Sequence, residues 1–140
     1  MPTTASSPWC LVLEDQALIA MALEASLEDA GFRVAGPFMS NAEALAWLDN
    51  NAPDLALLDV LLKDGPCTSV VRALRARSIP FAIYSGLRPG SRPPELGAVR
   101  WMEKPVSRED LTDVLREIAP KAADGNGART ESPELTAAQL

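Results

Sequence analysis

Short apolar runs alternate with stretches of helical period along this chain, and that alternation constrains the fold more than any other feature. Trp9–Leu13, Phe32–Gly36, Leu55–Leu58, Phe81–Tyr84 and Val99–Met102 read as strands. After the first of them, Ile19, Leu23, Leu27 and Ala30 recur at helical spacing with Leu18, Ala22 and Ser26 beside them, and Gly31 supplies a stop. Pro37 closes the second strand, and Ser40 to Glu43 reads as a capping box opening a second helix that runs to about Asn50. A turn over Lys63 to Pro66 leads into a third helix, with Val70, Val71 and Leu74 inward and Arg72, Arg75 and Arg77 mostly outward. Ser107 caps a last helix in which Leu111, Val114, Leu115 and Ile118 fall at i, i+3, i+4 and i+7, ending at Pro120. Strand and helix in turn imply an α/β domain with a parallel sheet and right-handed crossovers.

The alternation breaks once. Residues 87–97 hold three prolines and two glycines in eleven positions, which rules out a regular helix because proline removes donors and clashes inside one. An irregular crossover is expected there, so the fourth helix should be degenerate or missing.

Each strand that carries chemistry ends in a polar residue. The first runs into Glu14–Asp15, the third into Asp59, the fourth into Ser85, and the fifth through Glu103 to Lys104–Pro105. Strands of a parallel sheet finish at one edge, and ligands bind outside those carboxyl ends. Three carboxylates, a hydroxyl and an ammonium, spread over ninety positions, should therefore meet. The set suits phosphoryl chemistry: acids for a divalent cation, an aspartate to be phosphorylated, and Ser85 and Lys104 for the phosphoryl oxygens.

Composition narrows the classes. With 140 residues the chain has room for one core, and 47% hydrophobic with 23% charged residues is ordinary for a globular protein. A net charge of −6 argues against nucleic acid as a partner. No apolar run reaches the roughly 18 residues of a membrane span, and residues 1–8 lack the basic start and apolar stretch of a signal peptide. Cys10 in a buried strand and Cys67 near a helix start suggest no disulfide framework, so a cytoplasmic location is expected. Residues 1–8 and 121–140 are expected to be flexible flanks of one domain over 9–120. The stretch from Glu134 to Leu140 could form a short helix on a partner.

These residues resemble the receiver domain of bacterial two-component response regulators. The resemblance rests on Glu14–Asp15, on Asp59–Val60 following 44 positions later (59 − 15 = 44), on Ser85–Gly86 and Gly97–Ala98, and on Lys104–Pro105 before a capped helix. It implies a flavodoxin-like, doubly wound five-stranded parallel sheet of order 2-1-3-4-5. Asp59 then looks like the phosphoacceptor, supplied by a histidine kinase or a histidine phosphotransfer protein. Mg²⁺ or Mn²⁺ would be held by Asp15, Asp59 and the backbone carbonyl of Leu61, with Glu14 bound directly or through water. Lys104 and Ser85 would contact the phosphoryl oxygens, and Trp101, three residues before the lysine, would follow the switch inward. The Lys104–Pro105 bond is expected to be cis. Lys63 stands where receivers usually carry proline. A Ser-Gly pair ahead of a proline-rich crossover resembles the stand-alone FAT-GUY receivers, although Tyr84 stands where that motif has Ala and Leu87 where an aromatic is common.

Plainer roles exist for the same residues. Asp15 could cap the first helix, Lys104 could be a solvated lysine, and Trp101 could fill a core. The basic run from Arg72 to Arg100 reads as a solvated face, or else as a surface for an acidic partner. The leading expectation is a single-domain response regulator, which binds a target when phosphorylated or acts as a phosphate sink. It is no enzyme beyond self-phosphorylation and self-dephosphorylation. A pseudo-receiver adaptor acting without phosphorylation is the alternative. A haloacid-dehalogenase type of enzyme would need an acid two residues after the nucleophile, where Leu61 stands.

Overall fold

The computed structural model describes residues 7–120. In chain order the elements are β1 (Trp9–Leu13), α1 (Ala17–Asp29), β2 (Arg33–Phe38), α2 (Asn41–Leu48), β3 (Leu55–Leu58), β4 (Leu61–Leu62), β5 (Gly65–Pro66), α3 (Thr68–Ala76), β6 (Phe81–Ser85), β7 (Arg100–Glu103) and α4 (Arg108–Ile118). Five strands form one parallel sheet in the order β2-β1-β3-β6-β7, while β4 and β5 make a separate two-residue hairpin. Without that hairpin the order is 2-1-3-4-5, the flavodoxin-like arrangement. The expected tail helix over 134–140, and the flanks 1–6 and 121–140, lie outside the described residues.

The period of two along each strand sorts side chains between two layers. Leu11 and Leu13 of β1, Ala56 and Leu58 of β3 and Ile83 of β6 face Ala44 and Leu48 of α2 and Val70, Val71 and Leu74 of α3. Cys10 and Val12, Leu55 and Leu57, Ala82, Tyr84 and Met102 face Leu23 and Leu27 of α1 and Leu111 and Leu115 of α4. The central strands β1 and β3 are thus apolar on both sides, as a sheet covered by helices on both faces requires.

Local chemistry sets the ends. Ser40 Oγ accepts the Glu43 N–H (3.1 Å), while Glu43 Oε1 accepts from Met39 N–H (2.9 Å), one residue before the N-cap. Ser107 Oγ accepts from Asp110 N–H (3.0 Å) at the start of α4. Asp64 closes α2 from a distance, accepting from Asn41 N–H (2.8 Å) and Ala42 N–H (3.1 Å). These bonds hold its carboxyl below the usual range.

The second strand differs from its expected bounds. It does not close at Pro37 but runs on to Phe38, with the register slipping so that Leu11 pairs with Ala35 and Leu13 with Phe38. β2 is an edge strand, where a residue without an N–H costs the ladder little. Gly36 makes the irregularity possible: its φ is +102°, and a Cβ there would lie 2.6 Å from Phe38 N and 2.9 Å from the Val12 carbonyl oxygen. The second helix also stops at Leu48, short of Asn50. Both Gly36–Pro37 and Lys104–Pro105 are cis.

Between β6 and β7 no α-helix forms. Two single 3₁₀ turns, Pro89–Ser91 and Pro94–Leu96, take its place. Arg75 of α3 anchors the second turn by donating to the carbonyls of Leu96 and Ala98, and Leu96 is fully buried beneath it. Arg77 likewise donates to the carbonyls of Leu48 and Asn51 (both 3.0 Å). These arginines are exposed, yet they staple α3 to its neighbours, so the basic run is not simply a solvated face.

Candidate functional site

Sheet register assembles the cleft. Leu13 of β1 pairs with Leu58 of β3, and Leu58 with Ile83 of β6. One residue further along each strand stand Glu14, Asp59 and Tyr84. Ser85 pairs with Glu103 of β7, and the ladder continues through Lys104 N–H to the Ser85 carbonyl (2.9 Å). Asp59 N–H continues it on the other side to the Leu13 carbonyl (3.0 Å). The side chains after the strands thus converge because the parallel ladders run in step to their ends.

The resulting cleft, of about 400 Å³, is lined by Asp15, Asp59, Leu61, Ser85, Leu87 and Lys104. Lys104 Nζ lies 2.9 Å from Asp59 Oδ2 and 3.2 Å from Glu14 Oε1. Asp59 Oδ1 accepts from Val60 N–H (2.7 Å). Glu14 is fully buried and Asp59 is 8% exposed. Burial pushes the Asp59 carboxyl above its ordinary value, against the opposing pull of Lys104 and Val60 N–H. For Lys104, burial lowers the affinity for its proton, but the bonds and charges of Asp59 and Glu14 more than offset that and hold it above its usual range. Ser85, 2% exposed, accepts from Leu87 N–H (3.1 Å), which leaves its own O–H to donate.

Glu14, Asp15 and Asp59 each offer an oxygen within 4.8 Å of the others. Three carboxylates this close, two of them buried and with a single ammonium between them, form a hard-oxygen donor set that fits a divalent cation of the Mg²⁺ type. α1 opens at Gln16 without a side-chain cap, so Asp15 does not take the capping role open to it, and it lines the cleft instead.

The residues picked out in the sequence fall in two places. Glu14, Asp15, Asp59, Leu61, Ser85 and Lys104 gather at the cleft. Trp101 lies outside it on β7, half-buried against the α2/α3 layer, with the Arg92 guanidinium 4.5 Å from its ring centroid. Its Nε1 is buried without a partner among the described residues. One residue at the site was not foreseen. Tyr84, read in the sequence as the last residue of an apolar strand and as a departure from a motif, donates its hydroxyl to Glu14 Oε1 at 2.5 Å. Burial, and then Glu14, push that hydroxyl well above its usual range, so it stays a donor. A tyrosine at the end of a buried strand needs a partner for its polar tip, and that was the available signal.

Fold and pocket together place the chain among the flavodoxin-like α/β domains. More narrowly, it belongs to the response regulator receiver domain family, which it matches over residues 10–116. Among similar proteins, the transcriptional regulatory protein PrrA of Mycobacterium tuberculosis is 32% identical over all of this chain and 61% of its own length. The solution structure of SdrG from Sphingomonas melonis is 32% identical, covering 81% of this chain and 97% of that one with a TM-score of 0.69. A response regulator receiver protein from Sinorhizobium medicae, 24% identical, covers 81% and 95% with a TM-score of 0.72 and supports the fold alone. The chain spans about three-fifths of the length of the first curated relatives it matches. Among the described residues no helix is long and apolar enough to cross a membrane.

Proposed function

We propose that this receiver domain accepts a phosphoryl group on Asp59 from the phosphohistidine of a histidine kinase or histidine phosphotransfer protein, and signals by phosphorylation-dependent protein binding. The observation that carries this reading is the Lys104 ammonium bridging Asp59 and Glu14, which lie 45 and 90 positions away in sequence. That ammonium sits against the nucleophile's own carboxylate, where it can pass to a phosphoryl oxygen once one is attached, while the excess of carboxylates leaves room for a divalent cation to offset the added charge.

In the transfer an Asp59 oxygen attacks phosphorus, the P–N bond to the donor imidazole breaks, and an acyl phosphate forms while the imidazole keeps the electron pair. Val60 N–H and Lys104 orient the nucleophile and oppose the effect of burial on its charge. Lys104 follows the negative charge from Oδ2 to a phosphoryl oxygen, and the Ser85 hydroxyl donates to another. Asp15, Asp59 and the Leu61 carbonyl, with Glu14 directly or through water, would hold a magnesium ion, which would supply charge neutralisation for two anions brought together. Trp101, on β7 three residues before Lys104, is the reporter of that shift. No other turnover is ascribed to the chain: it phosphorylates and dephosphorylates itself.

A partner has a surface to use beside the cleft. Leu18 is 81% and Met21 64% exposed on α1, and a groove lined by Leu18, Ile19, Lys104, Pro105 and Val106 adjoins them. Cys10 and Cys67 are buried and free, and free thiols suit a reducing cytoplasm; burial pushes the Cys67 thiol up to about 12, which keeps it protonated and unreactive. Incubation with acetyl phosphate and Mg²⁺ followed by intact mass should show one added phosphoryl group, lost with chelator and with Asp59→Asn. An unchanged mass in wild-type protein favours an adaptor that works without phosphorylation.

A further inference from the structure

Glu14 is held at both oxygens. Oε2 accepts from Gln16 N–H (3.0 Å), and Oε1 accepts from Lys104 (3.2 Å) and from the Tyr84 hydroxyl (2.5 Å). The tyrosine is itself fixed, 4% exposed within the α1/α4 layer, with Lys104 Nζ 4.6 Å from its ring centroid. An aromatic side chain locked by packing is a rigid post, and a bond from it removes the rotational freedom the carboxylate would otherwise keep. Of Glu14's three partners, Gln16 donates from backbone and Lys104 is shared with Asp59. Tyr84 is the side-chain donor that among these bonds serves Glu14 alone.

We propose that Tyr84 is a positioning residue for the acidic site: its hydroxyl fixes the Glu14 carboxylate and thereby favours a small, octahedral divalent cation over a larger one. This rests on the cation-binding reading given above. Mg²⁺ demands near-ideal octahedral geometry at about 2.0–2.1 Å, whereas Ca²⁺ accepts variable coordination at about 2.3–2.6 Å. Freeing one acid therefore penalises Mg²⁺ more than Ca²⁺. Groups that orient metal-binding side chains typically change affinity by about 10–100-fold when removed.

The test is calorimetric titration of Mg²⁺ and of Ca²⁺ into the full chain, wild type and Tyr84→Phe, a change that keeps the ring over which Lys104 sits. The expected result is a Kd for Mg²⁺ raised about tenfold, with a clearly smaller change for Ca²⁺. An unchanged Mg²⁺ affinity overturns the proposal, and so do equal losses for both ions, which mark a packing defect. In a Glu14→Gln background, Tyr84→Phe should have no further effect on Mg²⁺, and a full effect there also overturns it. Wild-type protein that binds neither ion refutes the cation site itself, an outcome separate from any failure of Tyr84.

Discussion

Replacing Lys104 with methionine removes the one ammonium that lies between Asp59 and Glu14 and leaves two largely buried carboxylates facing each other, with Asp15 beside them. Taking one partner from a buried ion pair costs about 3–5 kcal/mol. The Lys104 side chain is 20% exposed and the cleft is open, so water reaches the orphaned acids and the loss falls to about 2 kcal/mol. For a domain of this size about 4 °C of Tm corresponds to 1 kcal/mol, so melting followed by circular dichroism in chelator should drop by about 8 °C. A divalent cation draws on the same oxygens as the ammonium. With the competing ammonium gone, Mg²⁺ should bind Lys104→Met more tightly than wild type, and binding about 30-fold tighter would offset about 2 kcal/mol once both proteins are saturated, closing most of the gap. No drop in chelator would show that the lysine does not neutralise the cluster. A drop of equal size with and without Mg²⁺ would show that ammonium and cation do not share these acids.

The pH dependence of Asp59 gives a second expectation. Burial raises its folded pKa above the ordinary 3.8, so the native state binds more protons across that window, and stability falls as pH rises through it. Asp59→Asn should therefore melt above wild type at neutral pH and lose that advantage below pH 3.8; an advantage independent of pH contradicts the cause given. Ser40→Ala removes the cap on Glu43 N–H and should cost about 1 kcal/mol in denaturant titration, with the m-value unchanged.

The layer structure was legible in the sequence because the strands are short, apolar and bounded by turn residues, and because three of the four helices carry caps or breakers that act locally. The gathering of Glu14, Asp59 and Lys104 was legible for a topological reason: parallel strands end together. What escaped depended on contacts distant in sequence. Pro37 reads as a terminator, and only the edge position of β2 and the slipped register with β1 let the strand pass through it. Arg75 and Arg77 look like solvated charges until the carbonyls they hold, 21 and 29 positions away, are known. Tyr84 reads as core, which its ring is, while its hydroxyl reaches an acid 70 positions away.

Asp59, and no other acid in the cluster, is the proposed acceptor of the phosphoryl group. Hydroxylamine converts an acyl phosphate to a hydroxamate, and peptide mass mapping then locates the modified carboxyl. After treatment with acetyl phosphate and Mg²⁺, the mark should fall on Asp59 alone and vanish when the cation is withheld. A hydroxamate on Glu14 or Asp15, or none under any phosphodonor, would contradict it.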